Sequence, residues 1–319
     1  MHQPIASLSL DLDNLWSYQK TRGDPAWEAL PSYLDVVVPR FLEVLERRGL
    51  HITVMVVGQD AALERNAGAL RAIADAGHEI GNHSFRHEPW LHRYTDDEMA
   101  DEIARAEAAI ETATGRRPRG FRGPGYSFTR RTLEVLHARG YDYDASTLPT
   151  FIGPMARAYY FMTSGLDREA RNQRDALFGS VSDGLRSIDP YRWDLGSGRS
   201  IVEIPVTTLP GLRLPFHPSY ILYLAAVAPM LGDTYFRSAV LACRAARTEP
   251  SVLLHPLDFL DGQDAPSLSF FPAMSMPWQK KVAVVERALD ALQTHFRVVP
   301  MRAHAADIAS RTTPLRGPP

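Results

Sequence analysis

Two aspartates, two histidines, one arginine and a further histidine carry most of the chemistry legible in this chain. Asp11 and Asp13 stand two residues apart at the end of an apolar stretch. Side chains two apart share a face of a strand, and two carboxylates held together repel unless a cation or a shared proton lies between them. A solvated strand end, or an Asx turn before Asn14, is the competing reading. His83 and His87 lie four positions apart in GNHSFRHEPW. Imidazoles at that spacing meet on one side of a helical turn and can share a metal. An aspartate from another strand end completes a two-His, one-Asp set that leaves positions open for water and substrate.

Arg122 sits in Phe121-Arg122-Gly123-Pro124-Gly125-Tyr126. Small residues and a proline around one arginine suggest a fixed loop that delivers a guanidinium. A surface turn in an arginine-rich stretch (Arg116, Arg117, Arg119) is the alternative. His255 follows Leu253-Leu254, just past a buried strand, where a general acid could stand. A structural histidine is the alternative there.

These residues need elements to position them. Ile5–Asp13 alternates with period 2, Ala6, Leu8, Leu10 and Leu12 on one face and Ser7, Ser9, Asp11 and Asp13 on the other. A helix is predicted from Ser32, as N-cap, to Arg48, with Val37, Phe41, Val44 and Leu45 in one stripe and Gly49 as the stop. Pro39 lies inside it and predicts either a kink or a start at that point. Ile52–Val57 reads as a buried strand. Leu63, Ala67, Leu70 and Ala74 mark a helix ended by Gly77, and His78–Gly81 a short strand. Thr95 and Glu98 form a capping box opening a helix through Met99, Ile103, Ala106 and Ile110 to Gly115. Thr132–Gly140 reads as another helix. After an irregular middle come strands at Ile201–Val206 and Ser251–Leu254. A last helix (Val282, Val285, Leu289, Leu292) and strand Phe296–Val299 follow. Such alternation argues for parallel βα units, in a doubly wound sheet or a barrel.

The 319 residues suit two domains or one α/β barrel. Hydrophobic residues at 45% and charged residues at 23% mark an ordinary globular chain. A net charge of −2 argues against a nucleic-acid partner. The single cysteine, Cys243, excludes an intramolecular disulfide framework. The opening MHQPIASLSLDLDNLW shows no leader pattern, and the apolar run Tyr220–Ala228, closed by Pro229, is far short of the ~20 residues of a bilayer span. The expectation is a cytoplasmic, non-spanning protein.

The order of these motifs carries more than any one of them. Asp-x-Asp, His-Ser-x-x-His, Arg-Gly-Pro-Gly-Tyr, Tyr-Asp-Tyr-Asp-Ala-Ser and Leu-Leu-His together resemble the polysaccharide deacetylases of carbohydrate esterase family 4. The resemblance runs over residues 5–147 and resumes over 251–302. The first motif takes the Asp-x-Asp form of the peptidoglycan-deacetylase-like and allantoinase-like branches. The resemblance implies a distorted (β/α) barrel over 1–319, interrupted by an insertion or lid at about 148–250. It implies metal-dependent amide hydrolysis with one divalent ion, zinc. By matching position, Asp13, His83 and His87 would be the ligands, Asp11 the general base, Arg122 its orienting group and His255 the general acid. Asp144, preferred to Asp142 because it matches the Tyr-Asp-Ser-Ser form, would partner the acid. The tryptophan many members carry there is absent.

The function expected is hydrolysis of an N-acetyl or N-formyl amide on an amino sugar, in a cytoplasmic or lipid-linked precursor. Hydrolysis of a ureide and a non-catalytic carbohydrate-binding role are the alternatives. Phe151, Met155, Tyr159, Tyr160, Phe161 and Met162, with Pro215–Leu231, would form a lid or a peripheral patch on a membrane face, or else pack as helices over the barrel.

Overall fold

A computed structural model describes residues 3–153, 155, 172 and 181–319. Among the described residues ten strands form one sheet: β1 (Ile5–Asp11), β2 (Thr53–Val56), β3 (Glu79–Asn82), β4 (Gly120–Phe121), β5 (Tyr143–Asp144), β6 (Tyr191–Gly196), β7 (Arg199–Glu203), β8 (Ser251–Leu254), β9 (Arg297–Val299) and β10 (Leu315–Arg316). The order β7-β5-β4-β3-β2-β1-β8 is parallel throughout. The Thr207 N–H donates to Ser251 O at 3.0 Å, joining the chain beyond β7 to β8 and closing the ring. The architecture is the distorted (β/α) barrel expected. β9 pairs with the start of β1, and β6 leaves the ring as a hairpin partner of β7.

β1 shows how the barrel uses the pattern. Its apolar side chains, Ala6, Leu8 and Leu10, join the core beneath the outer helices. Ser7, Ser9 and Asp11 are buried as well. They point into the barrel, where Ser7 meets His304 (3.1 Å) and Ser9 meets Arg122 (3.0 Å). Helix Met301–Ala309 helps fill that interior, with Met301, Ala305 and Ile308 packed against Met55, Tyr143 and Ile204.

Several elements differ from the sequence-based expectation. β1 ends at Asp11, because after Leu12 N–H bonds Met55 O (2.9 Å) the chain turns and Asn14 caps helix Leu15–Arg22. Asp13 therefore lies on a loop and not on the strand face. The second helix spans Leu34–Arg47 and contains Pro39, so it does not start there. Ser32 still accepts the Leu34 N–H at 3.2 Å, although Tyr33 takes the cap position. The Thr95–Glu98 capping box is present and opens Asp96–Thr114. The region 148–250 contributes β7 to the ring itself, together with helices Pro218–Val227 and Pro229–Ala246. Tyr159, Tyr160, Phe161 and Met162 lie outside the described residues.

Candidate metal centre and hydrolytic site

Asp11, His83, Arg122, Asp144 and His255 all stand at or just past the carboxyl ends of ring strands. Parallel α/β folds build their sites at this end. The loops there bring Asp13, His83 and His87 together, with ligand-capable atoms all within 4.8 Å.

The two histidines are not on a helical turn. They are joined by an irregular turn in which Ser84 (φ 61°) and His87 (φ 52°) take left-handed backbone, a conformation costly for non-glycine residues. Buried Glu102 holds the turn, accepting the N–H groups of Phe85 (2.9 Å) and Arg86 (2.6 Å) with one oxygen. Nothing in the local sequence pointed to Glu102, which lies on the helix that the Thr95–Glu98 box opens.

His83 Nδ1 lies 2.6 Å from Arg122 O. A carbonyl only accepts, so Nδ1 carries the proton. In the neutral ring Nε2 then presents a lone pair to Asp13 Oδ1 at 3.3 Å. His87 Nε2 is 2.9 Å from the same oxygen. Acceptors converging on one point need a cation between them, and the donor set suits a divalent ion with open positions. Burial would raise the Asp13 carboxyl, but the adjacent His87 and His83 hold it well below the usual range. Burial works the other way on His83, and Asp11 and Asp13 overcome it and raise the imidazole.

Asn14 and Asp60 brace the Asp13 loop. Asp60 Oδ1 accepts from Asn14 Nδ2 (2.7 Å), Trp16 Nε1 (2.9 Å) and Asn66 Nδ2 (3.2 Å), and Tyr33 O–H donates to Asp13 O. Trp16 also meets the His87 ring edge-on, with centroids 6.5 Å apart.

Asp11 faces Arg122 across the barrel. The guanidinium is fully buried and donates Nη1–H to Asp11 Oδ1 (2.6 Å) and to Ser9 Oγ (3.0 Å), while Nε–H bonds Ala145 O (3.0 Å). The sequence pairing of Asp11 with Arg122 thus has its geometry, and Asp11 Oδ2 is left for other work.

Past the end of β8, the strand beside β1, His255 Nδ1 lies 3.1 Å from Ser219 Oγ, whose hydroxyl donates to Asp258 Oδ1 at 2.8 Å. The other Asp258 oxygen accepts the His255 backbone N–H at 2.8 Å. The relay leaves Nδ1 protonated and Nε2 directed elsewhere. Asp144, expected as the partner of His255, has other company: it accepts from Ser146 Oγ (2.7 Å) and faces Glu203 in a buried carboxyl pair. Burial raises both carboxyls, Glu203 well above its ordinary range with Asp144 beside it. The partner of His255 comes instead from its own 3-10 turn and from Ser219, a helix residue 36 positions upstream.

A family profile described as polysaccharide deacetylase matches residues 27–143. A peptidoglycan deacetylase of Helicobacter pylori is 30% identical over 163 residues, which are 50% of this chain and 54% of that protein. A peptidoglycan deacetylase-like protein of Gibberella zeae is 32% identical over 127 residues, 39% of this chain and 36% of its own. The chain thus spans about half or less of these curated relatives. A crystal structure from Mycobacterium smegmatis, provisionally described as a polysaccharide deacetylase, superposes with a TM-score of 0.65 at 20% identity, covering 98% of this chain and 93% of that one. That likeness speaks for the barrel, and the sequence matches speak for the motifs it carries. The profile match spans the strand ends that hold the histidines and Arg122, and over that stretch the chain is similar to polysaccharide deacetylases.

Proposed function

We propose that the protein hydrolyses an N-acyl amide, acetyl or formyl, on an amino sugar, with Asp13, His83 and His87 holding a divalent ion. Zinc suits this nitrogen-and-oxygen donor set. When bound, such an ion polarises the amide carbonyl and acidifies water. Asp11, oriented through Oδ1 by Arg122, takes the proton of the attacking water on Oδ2. His255, oriented through Nδ1 by Ser219 and Asp258, delivers a proton from Nε2 to the leaving amine. One observation carries this reading: a carboxylate bonded to buried Arg122 and an imidazole linked through Ser219 to buried Asp258 stand at neighbouring strand ends, on the same end of the barrel as three convergent ligands. A non-catalytic binding role would give no reason for either partner.

The test is release of acetate or formate from N-acetyl- and N-formyl-glucosamine oligomers by metal-loaded protein, with a small ureide as the competing substrate. Turnover of the ureide alone would overturn the sugar assignment.

A lipid-linked substrate, met at the cytoplasmic face of the membrane, is the finer form of the proposal. It is supported by the stretch 215–231, which has no Asp, Glu, Lys or Arg and exposes Val227 at 85% and Met230 at 81%. Among the described residues no helix is long and apolar enough to cross a membrane, so the contact would be peripheral. Flotation with liposomes tests it, and failure to float would remove it.

A further inference from the structure

His217 has no part in the chemistry above, yet its place in the fold is unusual. It precedes helix Pro218–Val227, the helix that supplies Ser219 to His255. Its ring lies against His255, with centroids 5.5 Å apart at 51°, and meets Tyr220 edge-on at 4.6 Å. The residue is only 5% exposed. Nδ1 is sealed from solvent without a partner, and no described group bonds Nε2. Nδ1, enclosed, stays an unpaired acceptor, and Nε2, beside the acid and without a described partner, is the nitrogen left open to a ligand.

We infer that His217 is a substrate-contacting residue, donating Nε2–H to an oxygen of the sugar on the leaving-amine side of the scissile bond. The inference rests on the proposed amide hydrolysis and adds a substrate contact to it. Geometry selects the leaving-amine side, because the ring packs on His255, the group that faces the departing nitrogen. The protonation state agrees. Burial, with His255 and Arg122 nearby, holds the imidazole well below the usual histidine range, and so neutral. The N-terminal end of a ten-residue helix also disfavours a cation there. In the neutral ring one nitrogen carries the proton. A sealed Nδ1 finds no acceptor for it, and an orphaned buried N–H is rarer than an orphaned acceptor. The proton therefore belongs on Nε2.

The test is steady-state kinetics of metal-loaded wild type, His217→Ala and His217→Gln on an N-acetylglucosamine trimer. Metal content and thermal melting are recorded alongside. In His217→Ala, KM should rise about tenfold, the worth of one hydrogen bond, with kcat changed by less than about threefold. His217→Gln, which keeps an N–H donor, should recover part of the loss. Metal content should match wild type in both. Wild type that releases neither acetate from this trimer nor formate from its N-formyl counterpart overturns the hydrolase reading and this inference with it. Wild-type turnover with unchanged KM in both variants overturns the inference alone. A fall in kcat with unchanged KM also overturns it, since that would make His217 a support for His255 only.

Discussion

Arg122 Nη1 lies 2.6 Å from Asp11 Oδ1 inside the barrel, the arginine side chain fully buried and the aspartate nearly so. A charge pair this deep holds only while both members are present, since either alone is left unpaired in a poorly polarisable interior. Arg122→Met should cost about 3–5 kcal/mol of stability. Denaturant titration checks this, and a loss below about 1 kcal/mol would show that solvent reaches the pair.

His83→Ala removes one of the three proposed metal ligands, whose other nitrogen is fixed by Arg122 O. The purified variant should carry far less divalent metal than wild type by elemental analysis, with the barrel still folded by circular dichroism. Undiminished occupancy would place the ion elsewhere.

Asp11→Asn keeps the size of the side chain and an acceptor for Arg122, but no longer takes a proton. Metal content should persist while turnover drops ~10²–10⁴-fold. Near-wild-type rates would move the general base to another group.

Ser219→Ala cuts the link between His255 and Asp258 while leaving both residues in place. Turnover should fall by on the order of tenfold or more, a fraction of a full general-acid contribution. Asp144→Asn should leave kcat close to wild type, because Asp144 bonds Ser146 and faces Glu203. The reverse ranking of the two variants would restore Asp144 as the partner of the acid.

Asp60 is raised by burial from its ordinary 3.8 to about 7, against the pull of its Asn14 and Trp16 donors. The folded protein thus holds this proton more tightly than the unfolded chain does. Its contribution is greatest below about pH 4 and declines as pH rises toward 7, where ionisation in the unfolded chain is favoured. Asp60→Asn keeps an acceptor oxygen and cannot ionise. Its melting temperature relative to wild type should therefore climb between pH 4 and pH 7. A constant difference across that range would mean that Asp60 is already ionised in the folded state.

The chain order by itself determined strands β1, β2, β3, β7, β8 and β9, the Thr95–Glu98 cap and the positions of Asp11, His83 and His255 at strand ends. Those signals are local: periods of two and 3.6, a cap three residues from its partner, and a motif read within six residues. Other features could be decided only by the tertiary structure. The polar face of β1 reads as solvent-facing in any local pattern, but ring closure turns it onto Arg122 and His304. His83 and His87 meet through left-handed backbone at Ser84 and His87, a strained turn that Glu102 holds from a separate helix. Asp144 matched a motif, while His255 donates to Ser219 and Asp258. A buried donor takes whichever acceptor packing brings within hydrogen-bond reach, and sequence separation does not measure that distance.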